Sequence, residues 1–240
     1  MIQWIRSLIF NGQMYLMLAL MAVFFTPWAL VDRRGAFFAV RTYCRWVRWT
    51  AHWMVGLKSE IRGTVPTDAV LVGAKHQSFF DVIMIVSVLP RPKFIMKASL
   101  KWAPFLGWYG KRIGCVAVDR GKRAQAIQQM LAGVQSGTQD PGQLIIYPQG
   151  TRVAPGVDQP YKIGTGVLYK QTGQPCVPAA TNVGVFWPRH GVLRKPGVAV
   201  VEFLPMIEQG LPVDDFMAEL KQVVETNSDR LMAEAGFSIP

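Results

Sequence analysis

The segment Lys75-His-Gln-Ser-Phe-Phe-Asp81 holds the pair of residues best suited to proton chemistry. His76 is one of three histidines, and an imidazole takes up a proton near neutral pH. Asp81 follows four residues later, close enough in sequence to hold one ring nitrogen and leave the other free as a base. An apolar run of strand type, Ala69–Ala74, precedes the pair, and a second, Val82–Leu89, follows it. The pair therefore sits at the exit of a strand, where a rigid element aims side chains that a loop leaves accessible.

The same residues have a purely structural reading. Ser78-x-x-Asp81 has the spacing of a capping box, in which the carboxylate starts a helix. Residues further along decide between the two.

The chain has 240 residues, half of them hydrophobic, and a formal charge of +11. That balance suits nucleic acid or an anionic membrane surface as partner. There is no RNP-type aromatic block, zinc-finger spacing or KH-type loop, which argues against nucleic acid. Of eight tryptophans, five fall within the first 53 residues, a bias toward a membrane interface. Cys44, Cys115 and Cys176 are an odd set without metal-ligand spacing, so no metal site and no disulfide scaffold is expected.

Residues Met14 to Val31 carry no charge. Eighteen helical residues cover about 27 Å, close to the thickness of a hydrocarbon core. No small-x-small site precedes Arg33-Arg34, which argues against a cleaved signal peptide. From Gly35 to Leu57 a helical wheel puts Arg41, Arg45, Arg48 and His52 on one face, with Trp46, Trp49 and Trp53 as a neighbouring stripe. This predicts a helix lying among lipid headgroups, guanidiniums on phosphates and indoles at the boundary, or else an ordinary amphipathic helix on a core. Residues 1–57 are thus expected to form a membrane-binding helical hairpin, dipped into one leaflet or crossing once before a surface helix.

Residues 58–240 alternate short apolar runs with helical stretches. Expected strands are 59–62, 69–74, 93–96, 115–118, 143–147, 176–181 and 198–203. Expected helices are 81–89, 123–136, 164–172 and 213–235, the last a surface helix without a usable motif. The alternation predicts an α/β domain, a mixed and largely parallel sheet flanked by helices. Ligands of such sheets collect beyond the carboxyl ends of the strands. Four strand ends would bring His76, Asp81, Asp119, Arg120, Gln149, Thr151 and Arg152 to one rim, a set suited to a phosphate-bearing substrate.

Taken in order, His76-x4-Asp81, Gly114-Cys-Val-Ala-Val-Asp-Arg120, Gln149-Gly-Thr-Arg152 and Val177-Pro178 resemble the four blocks of the glycerolipid acyltransferases. The set is most similar to the 1-acylglycerol-3-phosphate acyltransferases. Lys97-Ala-Ser-Leu100 with Pro104 and Gly107, and Tyr161-Lys162-x-Gly164, resemble two further elements of that family. The pattern departs from the family at Lys75, where asparagine is usual, and at Gln149, where glutamate is usual. A glutamine cannot act as a base. Lys75 is expected to place a positive charge beside His76 and favour the neutral imidazole.

The resemblance implies the glycerolipid acyltransferase fold and transfer of a fatty acyl group from an acyl thioester, acyl-CoA or acyl carrier protein, to the free hydroxyl of 1-acylglycerol 3-phosphate. His76 would be the general base and Asp81 its orienting carboxylate. Arg120, Gln149, Gly150, Thr151 and Arg152 would bind the acceptor, with Lys97 assisting. No metal or bound cofactor is implied. The expected partners are membrane lipids and both substrates, with the catalytic domain on the cytoplasmic face of an inner or plasma membrane. Other lyso-lipid acceptors, such as lyso-ornithine lipid, and a non-catalytic lipid carrier are the alternatives.

Overall fold

The computed structural model describes residues 1–118, 128, 132 and 142–238. The first helix, α1 (Ile2–Val31), begins twelve residues before Met14 and five before the uncharged run, which starts at Ser7. Arg6 does not interrupt it. Its guanidinium donates to the carbonyls of Met54 and Trp53 at the end of the second helix, α2 (Arg33–Val55), where unpaired carbonyls attract a cation. Asp32 alone joins the two helices. It accepts from the Arg34 N–H at 2.8 Å and so caps α2. Gly56 ends α2 in the left-handed region, with φ of 74°.

The sheet has seven strands in the order β1-β7-β6-β2-β5-β3-β4. They are β1 (Leu57–Arg62), β2 (Leu71–Ala74), β3 (Pro92–Lys97), β4 (Val116–Val118), β5 (Gln143–Ile146), β6 (Cys176–Thr181) and β7 (Gly197–Phe203). All neighbours are parallel except β6 and β7. The mixed, largely parallel sheet expected from the apolar runs is therefore present, with each strand within two residues of its expected start.

Alternation along the central strands sorts the core into two layers. Val72 and Ile145 face a cluster with Phe80, Met84 and Trp187. Leu71, Leu144 and Ile146 face the other side, with Leu168, Phe216 and Leu220. Helix α3 (Phe79–Val88) lies on the first face. On the second lie α5 (Gly164–Thr172) and α7 (Val213–Glu234). A 3₁₀ turn (Ala98–Trp102) and two short helices, α4 (Leu106–Arg112) and α6 (Val183–Phe186), were not expected from periodicity, being too short to show it. The expected helix 123–136 falls almost wholly outside the described residues.

The hairpin shares the first core layer. Phe10 and Met14 of α1 and Val47, Ala51 and Val55 of α2 are buried with Phe80 and Trp187. Phe10 meets Trp187 edge to face at 5.6 Å. Gln3 donates to the carbonyls of Val55 and Arg194, and Asn11 donates to the carbonyl of Val192. At the far end Arg112 donates to the carbonyls of Ala29 and Leu30. The opposite face of α1 exposes Trp4, Leu8, Leu16, Leu20, Phe24 and Trp28. Among the described residues α1 is the one helix long and apolar enough to cross a membrane.

Two expectations for the helices are corrected. Arg48 is half-buried against the protein, and Arg45, although exposed, is tied to it by one hydrogen bond. Arg48 donates to Ser59 Oγ and Ser87 Oγ, both at 2.8 Å, and Arg45 donates to the Ser87 carbonyl. Arg48 reaches β1 and α3 and Arg45 reaches α3 because α2 packs across both, while Arg45, Trp49 and Trp53 stay exposed. Helix α7, read as a surface helix, buries Phe216, Leu220, Val224, Leu231 and Met232, and it also reaches the candidate site.

Candidate functional site at the carboxyl rim of the sheet

β2 ends at Ala74 and the chain turns into α3 through Lys75–Ser78. In that turn His76 Nδ1 lies 2.9 Å from Asp81 Oδ1. An ionised carboxylate only accepts, so Nδ1 carries the hydrogen and Nε2 keeps its lone pair. Asp81 is fully buried and its other oxygen, Oδ2, accepts from the backbone N–H groups of Gln77 and Ser78 at 2.8 and 2.7 Å. Ser78 Oγ accepts from the Phe80 N–H, which completes a capping box. The structural and chemical readings of Asp81 hold together, one oxygen for each. The helix start fixes the carboxylate, and the carboxylate fixes the imidazole.

His76 stacks on Tyr147, which follows β5, with ring centroids 4.0 Å apart and planes 22° from parallel. The Val153 N–H donates to the His76 carbonyl, so the loop after β5 also grips the backbone here. The Tyr147 hydroxyl is buried without a hydrogen-bond partner. Burial, and then the nearby charge of Asp81, pushes its pKa well above the ordinary phenol value, so the ring remains neutral.

Two expectations are corrected here: Gln149, expected to bind the acceptor, is 1% exposed and bonds inside the protein, and Lys75, expected to lend its charge to His76, pairs elsewhere. Lys75 is 3% exposed, and its amine pairs with Glu225 Oε2 of α7. Tyr161 Oη donates to Glu225 Oε1 at 2.9 Å, and Gln149 Nε2 donates to the same oxygen at 3.4 Å. Burial first, and then Glu225, raises the Tyr161 pKa. The charge of Lys75 is thus balanced by a carboxylate that the motifs did not reveal. Lys75 therefore directs its charge to Glu225, not to His76. Glu225 was hidden because α7 is distant in sequence and amphipathic like any surface helix.

The remaining site residues surround the rim. Gly150 turns the chain in the left-handed region, φ 69°, and a Cβ there would stand 2.6 Å from Lys162 Nζ. The lysine head therefore lies directly over the Gly150 turn, a cation that the sequence marked only as part of a recurring element. Thr151 is half-buried. Arg152 is half-buried and exchanges hydrogen bonds with Arg189, each guanidinium donating to the other's carbonyl at 3.1 and 3.0 Å. Lys97 is exposed at the end of β3, two strands from β2. Since β2, β5 and β3 are parallel neighbours, His76, Gln149–Arg152 and Lys97 leave the sheet at one rim. Asp119 and Arg120 lie outside the described residues.

Behind Phe79, three residues after His76, a cavity of about 150 Å³ opens between α1, α2, α3 and α4. Tyr43, Phe79, Val82, Phe94 and Phe105 are among the side chains that line it. Among the described residues no group of three or more His, Cys, Asp or Glu side chains is placed to hold a metal ion. The arrangement can orient an imidazole as a base, offer cations to a phosphate and shelter apolar chain nearby.

Comparison with known proteins bears on what uses such a site. A family model described as Acyltransferase matches residues 57–182. A 1-acyl-sn-glycerol-3-phosphate acyltransferase of Pseudomonas aeruginosa is 27% identical over 241 residues, covering 97% of this chain and 92% of that protein. One of Saccharomyces cerevisiae is 28% identical over 192 residues, 77% of this chain and 63% of the yeast protein. The crystal structure of a 1-acyl-sn-glycerophosphate acyltransferase of Thermotoga maritima superposes with a TM-score of 0.78 at 19% identity. It covers 95% of this chain and 98% of that one, and it shares the fold.

Proposed function

The chain belongs to the acyltransferase family, matched from β1 to the residue after β6, and from that premise we propose that it acylates the free hydroxyl of 1-acylglycerol 3-phosphate with an acyl thioester as donor. His76 Nε2 takes the hydroxyl proton as the oxygen attacks the thioester carbonyl. Asp81 holds the ring and stabilises the imidazolium. Collapse of the tetrahedral intermediate expels the thiolate of coenzyme A or acyl carrier protein, which recovers a proton from His76. No acyl-enzyme forms.

The observation that carries the reading is the dyad's setting. One buried carboxylate orients the imidazole, with the Gly150–Arg152 turn and Lys162 on one side and an apolar cavity on the other. Lys162, Thr151 and Arg152 bind the acceptor phosphate, Lys97 and Arg120 assist, and the cavity takes acyl chain. The exposed apolar face of α1 seats the protein in the membrane, with the rim toward the cytoplasm where thioester donors are made.

The test is product analysis with purified protein, acyl-CoA or acyl carrier protein, and lyso-lipids with and without a terminal phosphate. Acylation of 1-acylglycerol 3-phosphate is expected, and His76→Ala should lower it by at least about 10²–10⁴. Wild-type rates in His76→Ala would refute the mechanism. Preference for a lyso-lipid lacking the phosphate, such as lyso-ornithine lipid, would refute the acceptor. A bound lyso-lipid with no turnover would leave only a carrier.

A further inference from the structure

A second cluster of cations lies away from the dyad. Between α2 and β1 is a cleft of about 470 Å³ lined by Arg45, Arg48, Trp49, His52, Lys58 and Ser59. Four of its six side chains are basic or become so, and none is acidic. Among the described residues no carboxylate pairs with Arg45, Arg48, His52 or Lys58. Arg48 is the informative member. Its guanidinium is half-buried and is held by neutral acceptors only, Ser59 Oγ, Ser87 Oγ and the Ser59 carbonyl. Burial and the neighbouring Arg45 charge oppose its ionisation. A desolvated cation with no counter-charge is costly unless an anion joins it.

The cleft also has an exposed aromatic border. Trp46, Trp49 and Trp53 form a ladder with successive centroids 5.1 and 5.8 Å apart. Trp49 and Trp53 are 56% and 57% exposed. Indoles standing free beside cations mark the headgroup level of a bilayer, whereas a soluble anion would need no such border. The volume suits one headgroup. The cleft is distinct from the proposed catalytic rim. Arg45 and Arg48 reach Ser87 in the last turn of α3, whereas Asp81 is in its first, roughly 9 Å away along the helix axis.

We propose that the cleft between α2 and β1 is a binding site for the phosphate headgroup of an acidic bilayer phospholipid, separate from the acceptor site. Arg48 is the fixed anion ligand, Arg45, His52 and Lys58 complete the ring, and Trp49 packs beside the glycerol.

The test uses the full chain in detergent with equimolar phosphatidylglycerol and phosphatidylcholine, the bound lipid being identified by native mass spectrometry. The wild type is expected to retain phosphatidylglycerol over phosphatidylcholine. A basic residue near an anionic lipid surface contributes about fivefold in partition, so the triple variant Arg45→Gln/His52→Gln/Lys58→Gln should lose at least that factor. A control that removes three exposed lysines elsewhere, Lys111→Gln/Lys170→Gln/Lys195→Gln, should keep the preference. Equal retention of both lipids by the wild type would overturn the proposal. So would an equal loss in the control, which would mean bulk charge alone. Inorganic phosphate that abolishes the preference would assign the cleft to a soluble ligand and overturn the lipid assignment.

Discussion

Replacing Glu225 by alanine is the perturbation that most directly probes how the rim is held together. Three groups from three parts of the chain meet on this carboxylate: the amine of Lys75, the phenol of Tyr161 and the amide of Gln149. Lys75 has 3% of its side chain exposed, and Glu225 has 20%. Removing one partner of a buried pair costs about 3–5 kcal/mol, because the remaining charge stays desolvated. Glu225 still touches water, so the lower end applies, about 3 kcal/mol. For a chain of this size each kcal/mol moves the unfolding midpoint by about 2–4 °C, which gives a fall of roughly 6–12 °C. Thermal unfolding in detergent measures it. Lys75→Met/Glu225→Ala removes both charges and should recover to within about 1 kcal/mol of wild type. A single variant as stable as wild type, or a double variant no better than the single, would refute the claim that Lys75 depends on Glu225.

Two further outcomes follow from the site. Tyr147 supports the imidazole with its ring face, and its hydroxyl bonds to nothing, so Tyr147→Phe should keep full activity and equal or greater stability. Tyr147→Ala should lose turnover while His76 and Asp81 remain intact; steady-state kinetics of the two variants decide the point. The thiols of Cys44, Cys115 and Cys176 are each pushed up to about 12 by burial. A thiol with so high a pKa keeps its proton through pH 8, with only roughly one part in 10⁴ as thiolate. Iodoacetamide at that pH should leave the folded protein unlabelled and active and should modify all three cysteines after denaturation, as peptide mass analysis would record.

The fold was legible where sequence signals are local. Runs such as Leu144–Ile146 and Cys176–Thr181 announce buried strands, because a strand covered on both faces needs apolar residues at successive positions. His76, Asp81 and the Gly150 turn could be read because each stands at a strand exit with its partners close in sequence. Long-range pairing could not. The ion pair of Lys75 spans 150 residues, and nothing in the local pattern of α7 distinguishes Glu225 from the other acids of that helix. The orientation of Arg45 and Arg48 was equally hidden. A wheel gives the angle between two stripes of a helix but not which residues turn toward the sheet, and here Arg48 is half-buried against β1 and α3 while Arg45, Trp49 and Trp53 stay exposed.

Because α1 is tied down at both ends, its exposed apolar flank and the turn that carries His76 belong to one packed unit. Gln3 and Asn11 anchor one end, and Arg112 clasps the other. Where that flank floats on a bilayer, as proposed, the fold sets the height at which the imidazole rides over the acyl chains. A membrane of altered thickness must deform around it, or the protein must tilt as a whole.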